Sequence, residues 1–365
     1  MIQNFDSYTF FPGQHWSHTW ERQHEIVTRF SLLLDNKVLK VVSPLGLVNH
    51  NPFSVDFIKR VLYYRKQQQI ADTQNPIRHN MDMINIPHIP FHDALSALFN
   101  AKIMDKKLEI TDNNFFWSTY MNPALYKIFK KSKFRIIDLA ERRAGNPYLP
   151  QSIKDLERKA VSEADLVIID NHAAIDDYRE LNANIYYIPQ GVNSDTFYEV
   201  DGKDRKYVGY IGNLHFAIDY PYLINLIKAN PSEEFLIIGG ILEDEANTVL
   251  ELSNVKHVHQ IPKSELNDYL AQMKLGLIPY VKNERTIGVY PTKLFEYLSA
   301  GVPVLATDLP EVSQYEDDNF LKISNDIENL SDLTFTRKGI HEAVESNTWD
   351  ARWTEYLNKI EICLK

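Results

Sequence analysis

The second half of the sequence alternates short apolar runs with amphipathic segments, and this alternation constrains the fold more than any other feature. The amphipathic segments predict helices, because their apolar residues recur with helical spacing. Strands that alternate with helices form parallel, doubly wound sheets, so we expect an α/β fold. The predicted strands are 206–213, 234–240, 255–261, 275–280, 302–307 and 320–324, and the predicted helices are 220–230, 242–252, 263–273 and 291–300.

The first half repeats the pattern less regularly, with a turn-rich hinge predicted at 188–197. We expect two Rossmann-like domains that face each other across a cleft: an N-terminal domain over 1–190 and a C-terminal domain over 191–345. A final amphipathic helix within 346–365 is expected to pack back towards the N-terminal domain. Strands are predicted at 2–8, 37–43, 107–111, 134–138, 165–170 and 184–188, and helices at 18–33, 52–66, 120–130, 150–163 and 171–181.

Composition excludes several classes of protein. The 365 residues are 44% hydrophobic, which is enough for two cores. The formal net charge of −10 disfavours nucleic-acid binding, because a phosphate backbone demands clustered positive charge. The single cysteine, Cys363, rules out an intrachain disulfide and suits a reducing compartment. With no membrane-spanning apolar run and no signal-peptide pattern at the first residues, we expect a cytoplasmic protein.

Metal binding is not expected. The only suggestive pair, His257 and His259, shares one face of a predicted strand, and a half-exposed strand explains this spacing better than a zinc site. The sequence has no Cys/His cluster with metal-ligand spacing.

The segment 290–307 carries charged residues where packing needs none. Pro291 suits the first position of a helix, and Lys293 and Glu296 lie three residues apart on one face of it. The free N–H groups and partial positive charge of a helix N-terminus, together with Lys293, would bind a phosphate. A surface ion pair between Lys293 and Glu296 is the alternative. Gly212, Asn213 and the loop after residue 280 are predicted at the same sheet edge, which favours a ligand site.

Several segments together resemble the GT-B glycosyltransferases of the large group 1 type, similar to family 4. The bacterial teichuronic acid, capsule and xanthan-type polysaccharide enzymes are the most similar. The specific match is "PTKLFEYLSAGVPVLATDLPEV", at 291–312. Weaker matches are "HQIPKSELNDYLAQMKLGLIPY", "YIPQGVNSDTF", "SEADLVIIDNHA" and "WERQHEIVTRF". The resemblance covers most of the chain.

The resemblance implies a nucleotide-sugar donor, usually UDP-linked, bound by the C-terminal half. It implies no metal, because the helix terminus and basic side chains neutralise the leaving diphosphate. By position, Lys293 would hold the diphosphate and Glu296 the ribose hydroxyls. Gly212 and Asn213 would let the backbone approach the phosphates or the sugar. The other implied positions are Tyr290 and Thr292 in the same pocket, Arg285 as a second phosphate ligand or a solvated loop charge, and the backbone near Gln260 and Ile261 at the base.

One departure concerns stereochemistry. Many retaining members of the family carry a glutamate eight residues before the ribose glutamate, and this chain has Gly288 there. We therefore expect an inverting transfer, as in the xanthan-type relatives.

An inverting transfer needs a base that deprotonates the acceptor hydroxyl. The segment 135–145 resembles a D-x-x-D element of the family, so Glu141 is the first candidate and Asp138 the second. A helix-capping aspartate and a solvated salt bridge are the alternatives. Weaker candidates are Asp6 and His15.

The acceptor is expected to be a glycan or a lipid-linked glycan precursor. Basic and aromatic residues mix at 57–69 and 126–135, which is typical of a surface that contacts anionic lipid at the inner membrane face. Solvated helix faces are the alternative. Two other functions stay open: a sugar-nucleotide epimerase with the same architecture, and a non-catalytic subunit that binds a sugar nucleotide.

Overall fold

The computed structural model of the chain forms two compact units. The first consists of Met1–Asp170, Ala174–Ile188 and Trp353–Lys365, and the second of Asn171–Ala173 and Pro189–Arg352. The structure describes residues 1–13, 16, 21–44, 78–86, 94–140, 142–146, 149–199 and 204–365.

The first unit contains a seven-stranded parallel sheet with the order β3-β2-β1-β4-β5-β6-β7. Helices cover parallel sheets on both faces, so the central strands lie in the interior, and every side chain of β1 and β4 is buried. The strands are β1 Ser7–Phe11, β2 Leu39–Pro44, β3 Met81–Ile86, β4 Asn114–Ser118, β5 Phe134–Leu139, β6 Leu166–Ile169 and β7 Ile185–Tyr187. The helices are α1 Arg22–Leu32, α2 Ala94–Leu108, α3 Pro123–Lys131, α4 Gln151–Glu163 and α5 His172–Tyr178, with 3₁₀ turns at Ile2–Asn4 and Arg143–Gly145.

Two strand predictions for this unit are wrong, and the helix α2 and the strand β3 were not predicted. The strand predicted at 2–8 is displaced to Ser7–Phe11, because the buried run begins only after Asp6. The strand predicted at 107–111 is the end of α2 and the turn that follows it, and the fully buried β4 begins at Asn114. The edge strand β3, Met81–Ile86, was missed because Asp82 and Asn85 interrupt its apolar pattern. The helix predicted at 52–66 lies outside the described residues.

The second unit contains a six-stranded parallel sheet with the order β10-β9-β8-β11-β12-β13, which is the Rossmann order. The predicted α/β class with two parallel sheets is therefore confirmed. The strands are β8 Tyr207–Ile211, β9 Glu234–Ile238, β10 Val255–Val258, β11 Met273–Ile278, β12 Val304–Ala306 and β13 Leu321–Ile323. The helices are α6 Tyr220–Ala229, α7 Ala246–Leu250, α8 Leu266–Leu270, α9 Lys293–Ser299, α10 Pro310–Ser313, α11 Ile340–Glu345 and α12 Trp349–Cys363, with 3₁₀ turns at Lys263–Glu265 and Leu330–Asp332.

Most of α12 belongs to the first unit. The rings of Trp353 and Tyr356 lie 6.5 Å and 5.7 Å from the Trp117 ring on β4. This stacking buries aromatic area between elements that are far apart in the sequence. None of the helices in the described ranges is long and apolar enough to cross a membrane.

Candidate functional site

The candidate site lies at the edge of the second sheet where the parallel strands end, and its first residue is Gly212, directly after β8. Gly212 has a φ of +135°, a value that favours glycine. A Cβ atom at this position would lie 2.9 Å from Nζ of Lys293, so a larger residue would displace the lysine. Gly239, after β9, has a φ of +149°, and a Cβ there would collide with the Gly212 carbonyl oxygen. The two glycines therefore let two chain segments and a lysine converge.

Two loops of the site are joined by main-chain hydrogen bonds. The Asp219 amide donates to the Pro279 carbonyl at 2.8 Å, and the Val281 amide donates to the Ala217 carbonyl at 2.8 Å. Between these bonds, Ile218 and Tyr280 form an antiparallel bridge. The loop after β8 and the loop after β11 are thereby fixed to each other, so the side chains they carry are positioned before any ligand arrives.

Lys293 begins α9, and Tyr280 holds its ammonium group. Nζ lies 5.8 Å from the centroid of the Tyr280 ring. Burial acts to lower the pKa of Lys293, but the Tyr280 hydroxyl and the Glu296 carboxylate outweigh it, and the pKa is raised. The side chain is therefore a partly buried, permanent cation. Since α9 spans only seven residues, we assign the positive charge of the site to side chains more than to the helix dipole.

Lys293 and Glu296 do not form the surface ion pair that the sequence left open. Neither side chain makes an ion pair with any residue in the described part of the chain. Glu296 is partly buried, and its carboxylate accepts no hydrogen bond from the described residues. A cation and a carboxylate of one helix are therefore both available to a ligand.

Arg285 lies on a loop with a defined conformation. The Asn283 side-chain oxygen accepts hydrogen bonds from the amides of Arg285 and Thr286, at 2.9 Å and 3.1 Å, which is an Asx turn. The fully buried Thr286 accepts a hydrogen bond from the Asn283 amide at 2.9 Å. The Arg285 guanidinium carbon lies 3.4 Å from the centroid of the Phe216 ring, an arrangement that suits a cation–π contact. The structure thus brings Arg285 to the loop that follows β8.

His215 is a member of this site that the sequence analysis missed. Burial lowers the pKa of His215, and the charges of Lys293 and Arg285 lower it further, to about 4. Both cations therefore act on this imidazole, which is neutral at pH 7. Its position three residues after Gly212, in a loop predicted to line a ligand, is the signal that could have identified it. We refer to Gly212, His215, Arg285 and Lys293 as the edge cluster.

Asn213 has a structural contact at the same edge. Its side-chain oxygen accepts a hydrogen bond from the Gly240 amide at 3.0 Å, and its carbonyl accepts one from the Tyr210 hydroxyl at 3.0 Å. The Asn213 side chain therefore joins the loop after β8 to the loop after β9.

The other predicted donor-binding residues differ in exposure. Gln260 is exposed just beyond β10, and Ile261 packs partly against the core of the unit. Thr292 is the residue before α9 and is partly buried. Tyr290 is only 6% exposed and packs in the core, with its hydroxyl 3.4 Å from that of Tyr315, so its side chain does not join the exposed edge residues.

The geometry of Asp138 does not fit a catalytic base. The residue is completely buried, and its carboxylate accepts hydrogen bonds from Arg22 at 2.8 Å, Trp117 at 3.2 Å and Tyr356 at 3.0 Å. A base must reach the proton that it removes, and this carboxylate is enclosed and occupied. Glu141 and His15 lie outside the described residues. Asp6 precedes β1 at its amino end, so it lies at the edge of the sheet opposite the strand ends.

The basic residues near the end of α3 are largely paired with carboxylates. Lys130 pairs with Glu163 at 3.1 Å, and Arg135 pairs with Asp165 at 2.9 Å. Lys131 pairs with Asp105. These pairs reduce the positive charge that 126–135 presents to an anionic surface. The segment 57–69 lies outside the described residues.

Comparisons with known proteins agree with this geometry. Residues 205–334, which contain the edge cluster, match the family model described as glycosyl transferases group 1. A Bacillus subtilis (strain 168) protein named "putative teichuronic acid biosynthesis glycosyltransferase TuaH" is 26% identical over 191 residues, which cover 45% of this chain and 47% of that protein. The match thus spans about half the length of this curated relative.

Solved structures of glycosyltransferases share the fold along almost the whole chain. Anabaena Alr3699/HepE, crystallised in complex with UDP and glucose, has a TM-score of 0.64 at 11% identity, over 97% of this chain and 99% of that one. A glycosyltransferase from Rickettsia africae ESF-5 has a TM-score of 0.69 at 12% identity, over 99% of this chain and 100% of that one. We conclude that residues 205–334 form a group 1 glycosyl transferase domain and that the chain has the GT-B glycosyltransferase fold.

Proposed function

We propose that this protein transfers a sugar from a UDP-linked donor to a glycan or lipid-linked acceptor in bacterial surface polysaccharide synthesis. The observation that carries the proposal is that Lys293 and Glu296 on α9 form no ion pair with the described residues, while the Lys293 side chain lies against Gly212. The relatives support its finer parts: the Anabaena protein was crystallised with UDP and glucose, and the Bacillus relative is named for teichuronic acid biosynthesis.

In this proposal the edge cluster holds the leaving group. When the bond from the sugar to the diphosphate breaks, negative charge develops on the diphosphate, and Lys293 and Arg285 stabilise it. Gly212 has no side chain, so the diphosphate can approach the main chain of this loop closely. Glu296 accepts hydrogen bonds from the ribose hydroxyls, and Gln260 and Ile261 flank the base. The two cations supply the charge that a divalent metal would otherwise supply, so we propose that no metal is needed.

For the acceptor we propose Glu141 as the base, in an inverting transfer. Gly288 supports inversion, because it leaves no carboxylate at the position of the retaining glutamate. The two arginines that follow Glu141 in the sequence each pair with another carboxylate. Arg142 pairs with Asp177 at 2.9 Å, and Arg143 pairs with the buried Glu157 at 2.7 Å.

The first test is binding. Wild-type protein is screened by thermal shift with UDP, GDP, ADP and CMP, and a nucleotide at about 100 times its Kd stabilises the fold by about 2.7 kcal/mol. We expect UDP to give the largest shift. The variant Lys293→Met keeps an apolar side chain of similar length but loses the charge, and it should lose most of the UDP shift. Lys338→Ala, which removes an exposed lysine outside the edge cluster, is the control.

The second test is the product. Incubation with UDP-sugars and candidate acceptors should release UDP and yield a glycosylated acceptor. An epimerised UDP-sugar without transfer would identify an epimerase. In a transferase, Glu141→Ala should abolish the release of UDP. Nucleotide binding by the wild-type protein without any release of UDP would identify a non-catalytic subunit.

A cytoplasmic location with peripheral contact at the inner membrane surface is part of the proposal for a lipid-linked acceptor. The exposed Lys133 and partly buried Lys127, near the end of α3, lack a described carboxylate partner and support it. Co-sedimentation with vesicles containing phosphatidylglycerol tests this, with neutral vesicles as the control. Equal recovery with both vesicle types would remove the membrane contact from the proposal.

A further inference from the structure

His215 has one ring nitrogen occupied and one available. Nδ1 accepts a hydrogen bond from the Ala217 amide at 3.1 Å, so in the neutral ring the proton resides on Nε2. The residues that the structure describes supply no hydrogen-bond partner for Nε2. The loop therefore fixes the tautomer and leaves a donor group, Nε2–H, unused on a partly buried side chain.

The surroundings of this imidazole indicate which ligand atom would accept from it. Its ring centroid lies 6.0 Å from that of Tyr280 and 5.2 Å from that of Phe216, the two rings that contact Lys293 and Arg285. An anion held by those two cations would lie next to His215. Nε2 is accessible and not enclosed, so a ligand oxygen can reach it, and an anionic oxygen is the strongest acceptor for such a donor.

We propose that His215 binds the donor's diphosphate directly, as a neutral hydrogen-bond donor through Nε2–H, alongside Lys293 and Arg285. This inference rests on the proposed function and adds a specific ligand contact to it. A neutral imidazole contributes direction without adding a third positive charge, which Lys293 and Arg285 would both repel. The main-chain bond from Ala217 aims the ring before the ligand arrives.

Two amide substitutions separate the roles of the two nitrogens. His215→Asn places a side-chain oxygen near the position of Nδ1, so it keeps the acceptor for the Ala217 amide but cannot reach as far as Nε2. His215→Gln extends an NH₂ group to the region of Nε2. We expect the Kd for UDP to rise about tenfold in His215→Asn, the loss of one hydrogen bond to a charged group, and to return to within about threefold of wild type in His215→Gln.

The experiment is calorimetric titration of the full chain with UDP and with uridine. His341→Asn, a change of an exposed histidine on α11, is the control and should match wild type. The inference requires that His215→Asn weaken UDP binding and leave uridine binding unchanged. If His215→Asn weakened the binding of UDP and of uridine equally, the substitution would have disturbed the loop in general, and the inference would be overturned. Equal UDP affinity in wild type and His215→Asn would overturn it too.

Failure of the underlying function gives a different pattern. If wild-type protein binds neither UDP nor any other nucleoside diphosphate in the screen, both the donor site and the role of His215 are rejected. If wild type binds UDP and Lys293→Met does not, while His215→Asn binds as wild type does, the donor site stands and only the His215 inference fails.

Discussion

The Tyr356 hydroxyl donates a hydrogen bond to the Asp138 carboxylate at 3.0 Å, although 218 residues separate them in the sequence. The same carboxylate forms a buried salt bridge with Arg22 at 2.8 Å. Burial acts to lower the pKa of Arg22, but Asp138 outweighs it and the pKa is raised, so the guanidinium stays charged inside the unit. Asp138 thus connects α1, β4 and α12 through a single carboxylate.

Replacing Asp138 should destabilise the fold strongly. In Asp138→Ala the Arg22 charge remains buried without its anion, and loss of one partner of a buried pair costs about 3–5 kcal/mol. Tyr356→Phe removes one hydrogen bond to a charged group and should cost about 1.5 kcal/mol. Urea denaturation measures both free energies of unfolding. An Asp138→Ala protein as stable as wild type but unable to transfer sugar would restore Asp138 as a catalytic candidate.

Gly212→Ala should impair UDP binding by two physical effects. The φ of +135° is strained for alanine, by about 1–3 kcal/mol, and the new methyl group would collide with the Lys293 side chain. We expect at least a tenfold rise in the Kd for UDP.

Gly339→Ala separates the two effects. Gly339 also has a positive φ, +81°, but the nearest atom to an added Cβ lies 3.6 Å away and the residue is outside the edge cluster. This variant should lose a similar amount of stability and keep its UDP affinity. If Gly212→Ala binds UDP as well as Gly339→Ala does, the close approach of Lys293 has no part in binding.

His215 should report the charge of the site in an NMR titration. Its pKa is lowered to about 4 by burial and by Lys293 and Arg285, so its ring resonances should not titrate between pH 8 and pH 5.5. Arg285→Gln removes one cation and should raise that pKa, and bound UDP should raise it too. A His215 pKa that is unchanged by UDP would place the diphosphate elsewhere.

The sign of the effect on stability follows from the same shift. A histidine whose pKa is lower in the folded state stabilises the fold fully above its unfolded pKa of about 6.5. This contribution declines as the pH falls from about 6.5 towards the folded pKa of about 4. In His215→Asn, the loss of stability between pH 6.5 and pH 4 should therefore be smaller than in wild type, as measured by urea denaturation at each pH.

The sequence was most informative where the residues of a feature are contiguous. Lys293 and Glu296 could be identified because one helix turn carries both, and the fully buried strands β8 and β12 because each lies in a single apolar run. The environment of Asp138 could not be predicted, since its partners come from residues 22, 117 and 356. His215 was missed for a related reason: its tautomer and its pKa depend on a neighbouring amide and on two cations from another loop.

Turnover should depend on Lys293 and not on a divalent metal. If Lys293 stabilises the charge that develops on the leaving diphosphate, Lys293→Met should lower kcat by about 10²–10³-fold, as for the loss of one preorganised donor. EDTA should leave the wild-type rate unchanged, because side chains supply the positive charge. Lys338→Ala controls for the loss of a lysine in general. A wild-type rate that falls in EDTA and recovers with Mg²⁺, together with an active Lys293→Met enzyme, would transfer the neutralising role from the lysine to a metal.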